Sequence, residues 1–304
     1  MMNVPSPAIS GVFAAAATPV GEDLSPDLAL FKTHCRRLMD QGCDGLAVLG
    51  TTGEANSFSR AERRSILEAA LEAGLEPGHL IPGTGTPAIP DTVALTKDAL
   101  ELGITRVLML PPFYYKGVSD DGLFAAYAEI IERVGDARLQ VLLYHIPQMS
   151  GVALSVPLIE RLAAAYPGTV VGIKDSGGDI ENMKAVLAAV PGFAVLSGAD
   201  PLMLPLLDAG GAGCITATAN LIAPDLRTVF DHFADPARAD EVAATQERIV
   251  AWRTLANRYP QIPSIKAMLA ARTGKAAWRR VRPPLSPLDD TQAADLRSAM
   301  AELA

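Results

Sequence analysis

The most constraining feature of the sequence is a repeated alternation of short apolar segments with longer amphipathic ones. Each short run, rich in Val, Ile and Leu, is followed by apolar residues at helical spacing, which is typical of parallel βα units. Strands are predicted at 12–18, 45–49, 80–83, 106–110, 139–144, 170–174, 193–197 and 213–217. Helices are predicted at 26–40, 60–73, 91–102, 123–134, 157–165, 180–190, 202–209 and 224–233. Eight units over about 230 residues predict a (β/α)8 barrel of the α/β class.

Residues at the predicted helix ends support this pattern. Ser25 before Pro26 and Ser59 before Arg60 are predicted N-caps. Glycines follow predicted helices where a C-terminal stop belongs, at Gly42, Gly74, Gly103 and Gly210. A doubly wound sheet usually has a phosphate-binding glycine turn after its first strand, whereas residues 17–20 here read Ala-Thr-Pro-Val. The barrel is therefore favoured over the doubly wound sheet.

The alternation stops near residue 235, and the remaining pattern is helical. Helices are predicted at 239–259, 263–272 and 291–303. We therefore expect a barrel domain at 1–234 and a C-terminal helical extension at 235–304. The basic stretch 279–287, RRVRPPLSP, is predicted to be a surface loop in an interface, with anion binding as the weaker alternative.

Charge and composition exclude several classes of protein. The 304 residues include 26 Lys and Arg against 34 Asp and Glu, a net charge of −8, and 49% are hydrophobic. A chain this apolar can bury a large core, which excludes a disordered or fibrous protein. An acidic balance without a basic block argues against nucleic acid or an anionic membrane as the main partner. The sequence contains no uninterrupted apolar stretch of about 18 residues, so no membrane span is predicted.

The N-terminus and the cysteines indicate the compartment. Residues 1–10 have neither a basic region nor a long apolar region, so no secretory signal is predicted. Cys35, Cys43 and Cys214 lie in apolar or helical contexts, which favours reduced core residues in a cytoplasmic protein. The cysteines and histidines lack metal-ligand spacing, so we expect neither a metal nor a cofactor.

In a barrel of this kind, reactive residues stand where the strands end and in the loops that follow. These positions are 18, 50–54, 83–85, 112–116, 144–147, 174–176, 197–200 and 215–220. Lys174 is the most informative of them, because strand alternation places Val170, Gly172 and Lys174 on one face. If that face is the barrel interior, burial favours the uncharged amine, which can form a Schiff base with a carbonyl. Gly172 lies one layer below Lys174 and has no side chain, so it would leave space beneath the amine. A solvated strand-end lysine is the alternative.

Other strand ends offer supporting chemistry. Tyr144 ends the preceding strand, so its phenol is placed to move protons beside Lys174, or it merely lines the barrel. The turn 50–54, GTTGE, has hydroxyls and backbone N–H groups suited to a carboxylate, although Thr-Gly pairs are also ordinary turn material. Asp175 and Asp200 are predicted to cap the helices that follow them.

Five ordered motifs together resemble the dihydrodipicolinate synthase and N-acetylneuraminate lyase family. They are GTTGE at 50–54, PPFYYKGVSDDGL at 111–123, YHIP at 144–147, GIKDSGGD at 172–179, and SGAD with GGAGCITATAN between 197 and 220. The resemblance covers essentially the full length. It implies a pyruvate-handling class I lyase that acts on a small 2-keto acid, and commonly a homotetramer built from two tight dimers.

The resemblance also implies roles for individual residues. Lys174 is expected to form the Schiff base, Tyr144 to be the general acid/base, and Thr51 to extend the proton relay. Tyr115 matches a tyrosine that a neighbouring subunit contributes in some members, with Tyr114 as the alternative. The residues expected to bind substrate are Thr52, Gly50, Gly53, Met149, Ser150 and Ile215, the last through its backbone carbonyl.

One departure from the family pattern bears on the substrate. Dihydrodipicolinate synthases have an arginine that clamps the carboxylate of aspartate semialdehyde, and the matching residue here is Met149. The GIKDS motif also favours aldolases and dehydratases. The hypothesis is therefore aldol cleavage or dehydration of a 2-keto-3-deoxy sugar acid or a 4-hydroxy-2-oxo acid. The alternatives are an authentic synthase with a substitute such as Lys116, a non-catalytic barrel that binds a keto acid, and, least favoured, a phosphate-binding barrel.

Overall fold

A computed structural model describes residues 9–303 as a parallel β-barrel surrounded by helices. The strands are β1 Gly11–Ala15, β2 Gly45–Ala47, β3 Arg106–Met109, β4 Gln140–His145, β5 Val170–Asp175, β6 Ala194–Ser197 and β7 Gly213–Thr216. Their order is β2-β1-β7-β6-β5-β4-β3, and every paired neighbour is parallel. The predicted α/β barrel is confirmed. The first eight residues, on which the N-terminal prediction rests, lie outside the described part.

The third predicted strand is present only as isolated bridges. Residues 80–83 lie between β2 and β3, where Ile81 N donates to Leu46 O at 2.9 Å and Leu108 N donates to the carbonyl of Pro82 at 2.8 Å. Pro82 has no N–H to donate, so a regular ladder cannot form across it. This extended segment nevertheless fills the gap between the two end strands and nearly closes the barrel.

The helices largely follow the predicted pattern. Those of the barrel are α1 Leu28–Asp40, α2 Arg60–Glu72, α3 Ile89–Glu101, α4 Asp120–Val134, α5 Pro147–Ser150, α6 Val156–Ala165, α7 Ile180–Ala189, α8 Met203–Asp208 and α9 Ala219–His232. Three C-terminal helices follow, α10 Ala239–Ala256, α11 Gln261–Thr273 and α12 Asp290–Leu303. Helix α9 begins five residues earlier than predicted and bends at Ile222, two residues before Pro224. None of the helices within residues 9–303 combines the length and hydropathy that crossing a bilayer requires.

The predicted caps are partly confirmed. Ser59 and Glu62 form a reciprocal capping box at the start of α2. The prediction at Ser25 is wrong, because Pro26 forms an antiparallel bridge with Val20 and is therefore not helical. Asp27 caps α1 instead, its carboxylate accepting from Leu30 N at 2.9 Å. Glycines in the left-handed region follow helices as predicted, at Gly42, Gly74, Gly103 and Gly210.

Apolar side chains form an inner and an outer core. The inner core fills the barrel with residues that include Phe13, Ala15, Ala47, Leu108, Leu142, Leu196 and Ile215. The outer core packs the strands against the helices and contains the free, buried Cys35, Cys43 and Cys214. A Cβ atom on Gly172 would lie 2.6 Å from Ala194 O and 2.9 Å from Ala194 Cβ. Gly172 therefore makes room for Ala194, rather than for a substrate.

The basic stretch 279–287 folds back onto its own chain. Its arginines pair with acidic side chains elsewhere in the protein, and the Arg282 guanidinium also lies 4.2 Å from the centre of the Phe58 ring. The pairs are Arg279 with Asp290, Arg280 with Glu22, and Arg282 with Glu62. This loop thus links the C-terminal helices to the barrel.

Candidate active site

The amine of Lys174 and the phenol of Tyr144 lie together at the ends of neighbouring strands. The parallel register of β4 and β5 places these two residues side by side. Lys174 Nζ donates to Tyr144 Oη at 3.3 Å and lies 4.5 Å from the centre of the same ring. Only 4% of Lys174 and 3% of Tyr144 is exposed to solvent. The amine is therefore held inside the barrel mouth, and the alternative of a solvated strand-end lysine is wrong.

A threonine hydroxyl extends this pair into a chain of three polar groups. Thr51 Oγ1 lies 3.3 Å from Tyr144 Oη, so the phenol stands between the amine and the hydroxyl. Such a chain can pass a proton from one end to the other, because a hydroxyl donates and accepts at once. Thr51 is held in a tight turn whose flanking residues Leu49 and Glu54 both have positive φ, at 56° and 55°. Non-glycine residues adopt this conformation only where their surroundings enforce it.

Lys174 opens into a cavity of about 390 Å³, which we call the Lys174 cavity. Its lining includes polar side chains, among them Gln148, Ser176, Arg253 and Gln261. It also includes apolar ones, among them Ile146, Met149, Ile262, Pro263 and Leu285. A second cavity of about 300 Å³ shares Thr51, Tyr144 and Met149 with the first and extends toward Leu110 and Phe113. Together they provide space for a small molecule whose reacting end meets Lys174.

Comparison with known proteins identifies the family. The chain matches the model of the dihydrodipicolinate synthetase family over residues 8–303. It belongs to this family. A DapA-like lyase of Chloroflexus aurantiacus is 37% identical over 291 residues, which span 95% of both chains. The 4-hydroxy-tetrahydrodipicolinate synthase of Bacillus subtilis is 30% identical over 293 residues, 96% of this chain and 98% of the relative.

Solved structures agree with this family membership. The crystal structure of dihydrodipicolinate synthase from Agrobacterium tumefaciens superposes with a TM-score of 0.89 at 32% identity, covering 96% of this chain and 99% of that one. The family resemblance predicted from the motifs is confirmed. Members of the dihydrodipicolinate synthetase family are lyases, so the chain is an enzyme.

The structure brings some of the predicted family site residues together and leaves others apart. Lys174, Tyr144, Thr51, Thr52 and Met149 line the Lys174 cavity, while Gly50 and Ser150 border the second one. The Ser150 hydroxyl already donates to backbone oxygens and accepts from Val152 N at 3.1 Å, so it is occupied in its own turn. Gly53 is needed for packing, since a Cβ there would lie 3.0 Å from Ala16 O.

Ile215 and Tyr115 are not among the described residues that line either cavity, and the role of the Ile215 carbonyl stays a prediction. The Ile215 side chain is buried in the inner core. Tyr115 is 73% exposed and packs edge to face on Tyr114, with ring centres 5.3 Å apart. In a single chain, Tyr115 therefore contributes nothing to the site that contains Lys174.

The two predicted aspartate caps are wrong. Asp175 accepts from Gly177 N at 2.7 Å and Asn182 Nδ2 at 2.8 Å, while Asp179 caps α7. Asp200 is buried and pairs with Arg253, whose Nη1 donates to it at 2.9 Å. Strand-end aspartates can bind any nearby donor, and a local sequence window does not contain the partner that Asp200 finds 53 residues away.

A buried ion pair that the sequence analysis missed anchors the turn around Thr51. The Glu54 carboxylate pairs with Lys266 of α11 and also accepts from Arg282 N at 2.8 Å. Lys266 donates in addition to Arg280 O at 2.8 Å. Burial lowers the pKa of Lys266, and the adjacent Glu54 carboxylate opposes that shift. A lysine inside the apolar run 262–270, IPSIKAMLA, was the available signal.

Replacing Lys266 by methionine is expected to destabilise the fold by about 3–5 kcal/mol, because Glu54 would be left charged and buried without its cation. Denaturant unfolding followed by circular dichroism measures this loss. The double variant Glu54→Gln with Lys266→Met should recover most of it. Lys184→Met is the control, because the Lys184–Glu181 pair is exposed and should matter little. A wild-type unfolding midpoint for Lys266→Met would contradict the anchoring role.

Proposed function

We propose that this enzyme is a class I lyase in which Lys174 forms a Schiff base with the keto carbon of pyruvate or another 2-keto acid. The observation that carries the proposal is a buried amine 3.3 Å from a phenol inside a cavity. Imine formation needs an uncharged amine and a group that moves protons to the departing oxygen. Lys174 and Tyr144 place a buried amine next to a phenol that can move protons.

The proposed reaction uses the chain of hydroxyls in sequence. Lys174 Nζ attacks the keto carbon, and Tyr144 protonates the oxygen that leaves as water. The protonated imine then accepts the electron pair released when the bond between C3 and C4 breaks. The C4 hydroxyl gives its proton to Tyr144, which can pass it on to Thr51, and the C4 fragment leaves as an aldehyde. Protonation of the resulting enamine at C3 and hydrolysis of the imine release pyruvate. The Thr51–Thr52 turn is proposed to hold the substrate carboxylate.

The proposed substrates are 2-keto-3-deoxy sugar acids or 4-hydroxy-2-oxo acids, cleaved or dehydrated. Met149 supports this choice, because a thioether stands where the synthases have a carboxylate-binding arginine. Lys116 is a poor substitute, since its amine donates to the carbonyls of Phe113 and Ser150. The competing candidate, condensation of pyruvate with aspartate semialdehyde, is favoured by relatives and a solved structure that are named as synthases, at 30–32% identity.

Borohydride reduction in the presence of pyruvate, followed by peptide mapping, tests the mechanism. A reduced pyruvate adduct is expected on Lys174, while no adduct is expected on the exposed Lys184. Absence of an adduct at Lys174 would overturn the Schiff base. Turnover assays with aspartate semialdehyde and a panel of keto-deoxy acids then test the substrate. Strong condensation with aspartate semialdehyde would overturn the proposed substrate class but leave the Schiff base in place.

We also propose that the enzyme is a homotetramer, built as a dimer of dimers, in which Tyr115 completes the proton relay of a neighbouring subunit. An exposed pair of tyrosine rings supports this, because large apolar surfaces are usually covered by a partner. Tyr115→Phe should lower turnover by about 100-fold without changing the tetramer, measured by kinetics and analytical ultracentrifugation. Tyr114→Phe is the matched control. A larger loss for Tyr114→Phe would reassign the role.

A further inference from the structure

The lining of the Lys174 cavity includes a guanidinium contributed by the first C-terminal helix. Arg253 lies on α10, and 19% of its side chain is exposed. It faces a cavity that also contains the amine of Lys174, so a ligand bound to Lys174 has a guanidinium within the same space. Neither the predicted family roles nor the proposed reaction makes use of this group.

The position of the guanidinium is set by a buried carboxylate. Arg253 Nη1 donates to Asp200 Oδ2 at 2.9 Å, and the Asp200 side chain is fully buried. Asp200 also accepts from the Thr218 hydroxyl, and its backbone carbonyl accepts from Gln246 Nε2 at 3.0 Å. Asp200 therefore has little freedom to move, and Arg253 is held with it.

The same guanidinium keeps unused donors. The side-chain amide of Gln261 lies 3.2 Å from Nη1 and 3.1 Å from Nη2, close enough for its oxygen to accept from both. Arginine has five N–H groups. With Asp200 and Gln261 bound, one Nη2 hydrogen and the Nε hydrogen have no partner among residues 9–303. These donors are available to an oxygen of the ligand.

We propose that Arg253 determines substrate specificity by donating hydrogen bonds to hydroxyl groups on the distal part of a 2-keto-3-deoxy sugar acid. This inference rests on the proposed function and selects between its two substrate classes. Asp200 already balances the charge of Arg253, so a second carboxylate in this space would be a desolvated anion without its own cation. A hydroxyl accepts from arginine without bringing a charge into the cavity.

The neighbouring side chains suit hydroxyl groups as well. Gln148 Nε2 donates to Ser176 O at 2.6 Å, and the amide oxygen of Gln148 has no partner among the described residues. That oxygen can accept from a hydroxyl, which a carboxylate cannot offer. The cavity lining therefore presents both donors and an acceptor, which sugar hydroxyls can use.

Concentration-dependent borohydride trapping with three probes tests the inference. Pyruvate has no distal group, 2-keto-3-deoxygluconate has distal hydroxyls, and 2-oxoglutarate has a distal carboxylate. The total adduct on Lys174 is measured by mass. In the wild-type enzyme, half-maximal trapping is expected at a lower concentration of the hydroxylated probe than of either other probe. Arg253→Met should raise that concentration by about 10- to 100-fold, while changing the value for pyruvate less than about twofold.

Two further variants separate a specific effect from a folding defect. Arg248→Met is the matched control, because Arg248 lies on the same helix in a partly exposed pair with Asp225 and lines neither cavity. The double variant Asp200→Asn with Arg253→Met removes both charges, so no buried carboxylate is left unpaired. It should show the same selective loss for the hydroxylated probe.

The outcomes distinguish this inference from the proposed function. Both Arg253 variants could trap pyruvate normally and show unchanged trapping of the hydroxylated probe. That result would overturn the role of Arg253 and leave the Schiff base in place. Tighter trapping of 2-oxoglutarate that Arg253→Met abolishes would overturn the choice of hydroxyls. Failure of the wild-type enzyme to trap pyruvate would overturn the Schiff base and, with it, this inference.

Discussion

Lys174→Ala is expected to reduce trapping of pyruvate and turnover of keto acids to the level measured without enzyme. The reason is chemical, since no other lysine lines the Lys174 cavity as the structure describes it. Removing the amine removes the covalent intermediate and the electron sink that cleavage of the C3–C4 bond requires. Borohydride trapping and a coupled pyruvate-release assay measure the two losses.

The fold should survive this substitution. The hydrogen bond recorded for the Lys174 side chain is the one to Tyr144 Oη, and the backbone pairing of β5 does not depend on it. Circular dichroism should therefore match the wild-type protein. Lys184→Ala is the control and should keep full activity, because Lys184 lies on the surface of α7. Substantial turnover by folded Lys174→Ala protein would exclude the covalent mechanism.

Tyr144→Phe is expected to lower turnover by roughly 10²- to 10⁴-fold, the usual contribution of general acid–base catalysis. The ring would remain beside the amine, so the contact at 4.5 Å is retained. The substitution removes the hydroxyl that lies 3.3 Å from both Lys174 Nζ and Thr51 Oγ1. Steady-state kinetics should show the loss mainly in kcat, and the pyruvate adduct should still form, only more slowly.

Tyr127→Phe is the matched control for this prediction. Tyr127 is also a buried phenol, but its hydroxyl donates to Met109 O at 3.2 Å, and it lines neither cavity. Its loss should cost about 1 kcal/mol of stability and leave kcat unchanged. Near-normal turnover of Tyr144→Phe, or an equal loss in Tyr127→Phe, would contradict a proton-transfer role for Tyr144.

Local sequence patterns predicted the parts of this protein that depend on local chemistry. Period-two alternation put Lys174 on one face with Gly172 and Val170, and its burial beside Tyr144 shows that its face is the interior. The prediction is wrong for Val170, which packs in the outer core because the register shifts between Val141 and Leu142. The order of the strands placed Tyr144 on the neighbouring strand. One boundary was missed at Pro26, which pairs with Val20 across a short turn instead of starting a helix. The irregular third strand follows from Pro82, whose missing donor matters only once its neighbours are known.

The supporting residues of the site could not be predicted in this way. Glu54 and Lys266 are 212 residues apart, and Asp200 and Arg253 are 53 residues apart. Glu54, Asp200 and Arg253 alone read as ordinary charged side chains, because the role of each exists only through a partner that folding brings near. Lys266 stands out in the apolar run 262–270, but no local pattern names its partner. Long-range pairs of buried charges therefore mark the limit of what periodicity and spacing convey.

The pairing of Glu54 with Lys266 has a consequence for the order of events during synthesis. The ribosome adds Glu54 early and must add another 212 residues before its cation exists. Arg282, whose backbone N–H completes the contacts of the same carboxylate, comes later still. All seven described strands precede that point in the chain, because β7 ends at Thr216. The growing chain can therefore assemble much of its barrel while the turn around Thr51 still lacks the contacts that hold it.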